Sequence, residues 1–118
     1  MMELLILAII LIESGGDPKA YNQREQAAGL MQIRPIYVQD VNRILGEDRY
    51  TLDDRWCREK SIEMFVIYTR HYYNHYWRQI ESMGMGEDEA KARIHNGGPR
   101  GWQKKATDEY WQKVKNVM

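Results

Sequence analysis

From Trp56 onward, apolar and aromatic side chains recur at helical spacing: Ile62, Phe65, Tyr68, Tyr72, Tyr76 and Ile80 follow one another at intervals of three and four. That period predicts one long helix, starting at a cap on Asp53 or Asp54 and running towards Met83. Its middle, Met64 to Ile67, is apolar all round, as expected of a helix buried through the centre of a domain. Such a stripe is core before it is a ligand site, and the remaining elements must be arranged about it.

Those elements also read as helices. Leu4 to Ile12 is an unbroken apolar run of nine residues, far short of the roughly twenty a membrane span requires. Glu3 stands where a signal peptide would carry basic residues, and Glu13-Ser14-Gly15-Gly16-Asp17 is a poor cleavage site. A buried core helix ending at Glu13 or Ser14 is the better reading. Gly15 to Gln26 reads as loop, and Ala27 to Ile33 as a compact apolar stretch around Gly29. Arg34-Pro35 opens a second helix with Ile36, Val38, Val41, Ile44 and Leu45 on one face and Gly46 as its stop. Glu87-Asp88-Glu89 begins a short helix continuing to Ile94 or His95, with acids at its positive end. Asn96 to Gly101 reads as loop, with Gly101 a simple turn residue, and Thr107 caps a last helix, Asp108 to Val117, that carries Tyr110, Val114 and Val117 on one face. No alternating strand survives, so the expected class is all-α, about five helices around the long one.

Composition narrows the function classes. A chain of 118 residues fits one domain, residues 1–118. Seventeen basic residues balance seventeen acidic ones, which gives no electrostatic reason for a nucleic-acid or membrane-surface partner. Cys57 alone cannot form an internal disulfide, and one Cys with three scattered His makes no metal pattern. No metal and no cofactor are expected, and Cys57 reads as a packing residue in a helix. Eight Tyr and four Trp against a single Phe favour rings with a polar edge, which suit both cores and carbohydrate stacking.

The chemistry concentrates around Glu13, a carboxylate after nine apolar residues and before a Gly-Gly-Asp-Pro turn. A carboxyl works as a general acid near neutrality only when desolvation raises its pKa. The preceding helix and Leu30-Met31 would supply the apolar wall. Read by position alone, Glu13 could equally be an exposed helix end. Asn22 and Gln32 bring neutral donors and acceptors suited to amides and hydroxyls. Asn96 could hold substrate or merely close its loop, and Trp102 could stack a sugar or fill the core.

Three ordered motifs, Glu13-Ser14-Gly15-Gly16-Asp17-Pro18-Lys19-Ala20, Gly29-Leu30-Met31-Gln32-Ile33-Arg34-Pro35 and Asn96-Gly97-Gly98-Pro99, together with Thr107, Tyr110 and Val114, resemble the soluble lytic transglycosylase domain, especially compact phage-borne members. The resemblance implies a lysozyme-like fold with a substrate cleft on one side. It also implies cleavage of the β-1,4 bond between N-acetylmuramic acid and N-acetylglucosamine in peptidoglycan, leaving 1,6-anhydro ends. By the same resemblance Glu13 is the catalytic acid and base, while Ser14, Asn22, Met31, Gln32, His95, Asn96 and Tyr110 contact substrate. Two positions depart from the family pattern: Asn22 stands where a Ser is usual, and His95 where a Tyr is usual. The implied partner is the glycan strand, met by a monomer without stable membrane insertion, at the cell wall in the periplasm or outside the cell. A hydrolysing lysozyme and a catalytically silent wall-binding module are the alternatives.

Overall fold

The long helix begins later than its sequence stripe. In the computed structural model, which describes residues 2–118, it runs over Arg58–Ser82. A 3-10 turn, Leu52–Trp56, precedes it. Neither Asp53 nor Asp54 caps the helix. Thr51 begins the 3-10 turn instead, and Asp54 returns its carboxylate to the Thr51 backbone N–H at 2.8 Å. That reciprocal capping box satisfies donors that a short turn would leave bare. Trp56 therefore lies off the helix and exposed, while Phe65, Tyr68, Tyr72 and Ile80 are buried as their spacing predicts. Cys57 closes the 3-10 turn rather than lying within a helix, its thiol 3.4 Å from Glu59.

The helices are α1 (Met2–Ser14), α2 (Pro35–Leu45), α3 (Arg58–Ser82), α4 (Glu87–Gly97) and α5 (Ala106–Val117). Leu5, Ile9 and Ile10 bury one side of α1, but Leu4, Leu7 and Leu11 are about half exposed. The apolar run is thus not buried on every side, because a helix packed along one face leaves the opposite face to solvent. No described helix is long and apolar enough to cross a membrane. Pro35 occupies the first turn of α2, and Gly46 ends it with its N–H shared between the Asn42 and Arg43 carbonyls.

The expected all-α class holds, with one small sheet added where the sequence reads as loop and compact apolar stretch. Tyr21–Asn22 (β1) pairs antiparallel with Ala27–Ala28 (β2), opposing Tyr21 to Ala28 and Asn22 to Ala27. Strands of two residues are too short to print an alternating pattern on the sequence, so periodicity could not reveal them.

The residues divide into two compact units: Ile10–Tyr68, and the residues up to Ile9 together with Thr69–Met118. The first is built on Leu30, Met31, Ile33, Val41, Met64 and Phe65. In the second, α4 packs on α5 and on a second 3-10 turn, Gly101–Gln103. Ile80, Ala90, Ile94, Trp102 and Val114 fill its core.

Helix α4 extends through Gly97, so Asn96 lies in its last turn rather than in a loop. Gly101 is more than a turn. A Cβ there would meet the Arg93 carbonyl oxygen at 2.0 Å. Thr107 does not cap α5 either; the helix begins at Ala106, and Thr107 is buried in its first turn. Its hydroxyl lies 2.6 Å from the Gly101 carbonyl and accepts from Arg93 Nε at 2.9 Å. The internal hydrogen-bond network of the loop claims the side chain that the sequence pattern assigns to the helix start.

Candidate active site

Glu13 is half-buried in the last turn of α1. The turn is closed tightly behind it. Ser14 Oγ donates to the Ile10 carbonyl at 3.0 Å and accepts from the Gly16 N–H at 3.2 Å, and the Gly15 N–H reaches the Leu11 carbonyl at 3.0 Å. Asp17 accepts from the Lys19 N–H at 2.9 Å, which fixes the chain as it leaves. Ser14 therefore spends its hydroxyl on the helix end.

Beside Glu13 stands an aromatic wall that sequence reasoning missed. Tyr37, in the first turn of α2, stacks on Tyr68 of α3 with ring centroids 3.8 Å apart and planes 16° apart. Both rings are buried. Burial pushes the Tyr37 phenol well above its ordinary pKa; the neighbouring Tyr68 adds to this, as does the negative charge of Glu13, while Arg34 opposes it. The Glu13 carboxylate is thus within electrostatic reach of a buried phenol. Tyr37 follows Pro35 by two residues and shares the buried face of α2 with Val38 and Val41.

The hairpin and the loop after it carry the other candidates in this unit. Asn22 Oδ1 accepts the Glu25 N–H at 3.2 Å, so its carbonyl end organises the hairpin turn while the residue stays exposed. Met31 is fully buried. Gln32 has φ +49°, a left-handed conformation costly for a side-chain-bearing residue and met mainly where surrounding structure imposes it. Its Nε2 donates to the Ala20 carbonyl at 3.0 Å and the Gly29 carbonyl at 3.1 Å. The amide nitrogen thereby ties the loop to the chain leaving α1.

A buried arginine fastens the same loop. Arg55 Nη1 donates to the carbonyls of Gln26 at 2.7 Å and Ile33 at 2.9 Å, and Nε donates to Leu52 at 2.9 Å. Gly29, at φ +80°, passes so close that a Cβ would lie 2.0 Å from the Arg55 carbonyl oxygen. Only glycine meets both conditions.

The remaining candidates belong to the other unit. His95 is buried near the end of α4, Asn96 beside it is exposed, and Tyr110 is half-buried on α5. Trp102 proves to be core, and its Nε1 is buried without a hydrogen-bond partner among the described residues. Arg93, also overlooked in sequence, donates to Glu89 at 2.7 Å, Lys104 O at 2.9 Å and Thr107 Oγ1 at 2.9 Å. Among the described residues no group of three or more His, Cys, Asp or Glu could hold a metal ion.

Comparison with known proteins adds to this geometry. The family profile described as "Transglycosylase SLT domain" matches residues 1–117. Invertebrate-type lysozyme 6 of Caenorhabditis elegans is 33% identical over 92 residues, covering 77% of this chain and 67% of that relative. Invertebrate-type lysozyme 3 of the same animal is 31% identical over 111 residues, 92% of this chain and 80% of the relative. A lysozyme of Magallana gigas is 32% identical over 106 residues, 87% and 70% respectively. No solved structure matches significantly.

Proposed function

The chain belongs to the transglycosylase SLT domain family, and from that premise we propose that it is a lytic transglycosylase with Glu13 as its single acid and base. Family and relatives make it a glycosidase-type enzyme of lysozyme-like all-α fold acting on peptidoglycan. The proposal concerns how the bond is broken and which residues break it.

The observation that carries it is the half-buried Glu13 carboxylate beside the buried Tyr37–Tyr68 stack. In the proposed reaction, protonated Glu13 gives its proton to the glycosidic oxygen as the bond to the muramic C1 breaks. The acetamido oxygen of the same sugar takes up the positive charge at C1. The Glu13 carboxylate then removes the proton of the 6-hydroxyl, and O6 displaces the acetamido oxygen. No water is consumed, the ring closes as a 1,6-anhydro sugar, and Glu13 ends protonated as it began. One carboxylate suffices, which agrees with the engagement of Asp17 by Lys19, of Asp40 by Arg43 and of Asp54 by Thr51 and Lys60. In this reading Gln32 and Asn22 hold the sugar amide and hydroxyls, Met31 backs the cleft, and Ser14, His95, Asn96 and Tyr110 complete the substrate contacts. The site of action is the bacterial cell wall.

The lysozyme names of the relatives favour a second reading, hydrolysis on the same scaffold. Mass spectrometry of products from purified peptidoglycan separates the two, because anhydro ends are lighter than reducing ends by one water. Glu13→Gln should lower the rate by about 10²–10⁴-fold, the usual worth of a general acid. Reducing ends alone would replace the transglycosylase by a hydrolase. Retained activity in Glu13→Gln would remove Glu13 from the chemistry, and binding without turnover by the unaltered chain would leave a wall-binding module.

A further inference from the structure

Tyr21 and Trp56 are large rings left 51% and 40% exposed, with centroids 6.1 Å apart and planes tilted by 40°. They come from distant stretches of sequence, β1 and the Leu52–Trp56 turn, yet meet at the surface. From this pair, and resting on the glycan-cleaving reading above, we propose that the Tyr21–Trp56 platform is a sugar-stacking subsite that grips the glycan strand beside the hairpin.

The first support is chemical. A pyranose offers one face of C–H groups and a rim of hydroxyls. Tyr and Trp offer an apolar face with a polar edge, which matches both. A tilt of 40° means that neither ring covers the other, so a ring face remains for a ligand. Asn22 follows Tyr21 in β1 and is exposed, its Oδ1 accepting from the Glu25 N–H and its Nδ2 without an acceptor among the described residues. Consecutive strand residues face opposite ways, so the stacking surface is the ring pair itself. The charges flanking the two rings in the sequence are mixed in sign, Arg24, Glu25, Asp53 and Arg58, which suits a neutral sugar better than a strongly charged partner.

The second support is rigidity. Exposed aromatic rings on a mobile loop lose on binding much of what stacking gains. Here both supports are fastened. The capping box of Thr51 and Asp54 closes the turn that ends in Trp56. Arg55, between that turn and the hairpin, holds the carbonyls of Leu52, Gln26 and Ile33 together. At Gly29 the backbones nearly touch: a Cβ there would be 2.0 Å from the Arg55 oxygen and 3.8 Å from the Trp56 Cα. Trp56 thus rides on the same piece of structure as the Gly29–Ile33 loop, and a strand gripped by the platform is held in register with Gln32.

The test measures binding apart from cleavage. Calorimetric titration of Glu13→Gln with chitotetraose, an oligomer of N-acetylglucosamine, reads Kd, and initial rates on purified peptidoglycan in the active chain read KM. Trp56→Ala should raise both by about five- to tenfold, in line with one stacked ring. Trp56→Phe should restore most of the loss, and Tyr21→Ala should show a smaller rise. Trp77→Ala removes an equally exposed ring on α3 and should change neither value. An unaltered thermal midpoint shows that Trp56→Ala folds. The platform is refuted by unchanged Kd and KM in Trp56→Ala, by an equal loss in Trp77→Ala, or by no chitotetraose binding in the Glu13→Gln chain. Intact binding in a wild-type chain that cleaves nothing would instead defeat the catalytic reading and leave the subsite standing.

Discussion

Arg55 and Arg93 fasten corresponding loops in the two units by different means. Each is buried, each donates to at least one backbone carbonyl of a loop bearing candidate site residues or flanking them, and each has a glycine pressed onto its own backbone oxygen. Gly29 meets Arg55 and Gly101 meets Arg93, in both cases with 2.0 Å to an imagined Cβ. The difference is charge. Arg93 is paired with Glu89 at 2.7 Å and shares Thr107. Arg55 has three carbonyls and no carboxylate within ion-pair distance among the described residues. Burial accordingly lowers the Arg55 pKa, with Tyr21 and Asp53 opposing the shift. A guanidinium stays protonated regardless. A loop can thus be clamped with or without a counter-ion, provided each N–H finds an acceptor, but only the paired clamp depends on a second side chain.

The largest test is to fill the two close approaches. Gly29→Ala must push aside backbone and also accept φ +80°, whereas Gly101→Ala carries only the clash. Both should destabilise by more than about 3 kcal/mol, Gly29→Ala by about 1 kcal/mol more, for the left-handed strain. Denaturant unfolding measures the pair. Equal losses would mean that the left-handed turn at Gly29 relaxes freely, and the comparison would lose its basis.

Next in size are the clamps themselves. Arg55→Met should cost about 2–4 kcal/mol, because buried carbonyls lose their donors. Arg93→Met should cost a similar amount and strands Glu89 as well. The sharper discriminator is Glu89→Gln. It should weaken the Arg93 clamp by about 1–2 kcal/mol and leave amide exchange protection around Ala28 and Ile33 unchanged, since the Arg55 clamp uses no acid. Loss of protection at Ile33 in Glu89→Gln would show that the two clamps are not independent.

These clamps also mark where sequence stops being legible. Helix positions, the stop at Gly46 and the order of the three motifs are local patterns, written in spacings of three and four or in turn residues, and they could be read. Arg55 bonds to Ile33, 22 residues away, and to Gln26, 29 residues away; nothing near Arg55 in the chain announces either. Tyr37 was hidden for the same reason, as its partner Tyr68 lies on another helix. Thr107 looks like a helix cap because Thr caps helices locally, yet its hydroxyl answers to Arg93 and Gly101. The Glu13 motif was legible because family and local chemistry coincide there. Its aromatic wall was not.

Alkaline pH should strain the Ile10–Tyr68 unit through Tyr50. Burial, then the hydrogen bond of its hydroxyl to Glu63 at 2.6 Å, pushes the Tyr50 pKa up to about 12. Because the folded pKa exceeds the unfolded value of about 10, the stabilisation is complete below pH 10 and is lost as pH rises towards 12. In the other unit Tyr73 is raised too, by burial and by Glu87 and Glu81. Tyr50→Phe should flatten the alkaline loss in chemical denaturation, whereas an unchanged alkaline slope would transfer the effect to Tyr73 or to the buried Tyr37.

The smallest effect separates the units at their helix starts. The turn leading into α3 carries the Thr51–Asp54 capping box, while α4 and α5 show no side-chain hydrogen bond at their N-caps. The Thr51 N–H, and after it Lys60, hold the Asp54 pKa below its ordinary value. A carboxylate with a depressed folded pKa stabilises the fold above its unfolded pKa, near 3.8, and loses that contribution as pH falls through the folded one. Asp54→Asn should therefore cost about 1 kcal/mol near neutrality, with a gap to wild type that narrows on acidification below the ordinary carboxylate range. Because Trp56 ends this turn, the same variant should loosen the exposed ring, measurable as a rise in its fluorescence anisotropy decay amplitude in a chain keeping only that Trp. A gap that stays constant as the carboxylate is protonated would assign the contribution of Asp54 to packing rather than to charge, and would make the starts of α3 and α4 alike.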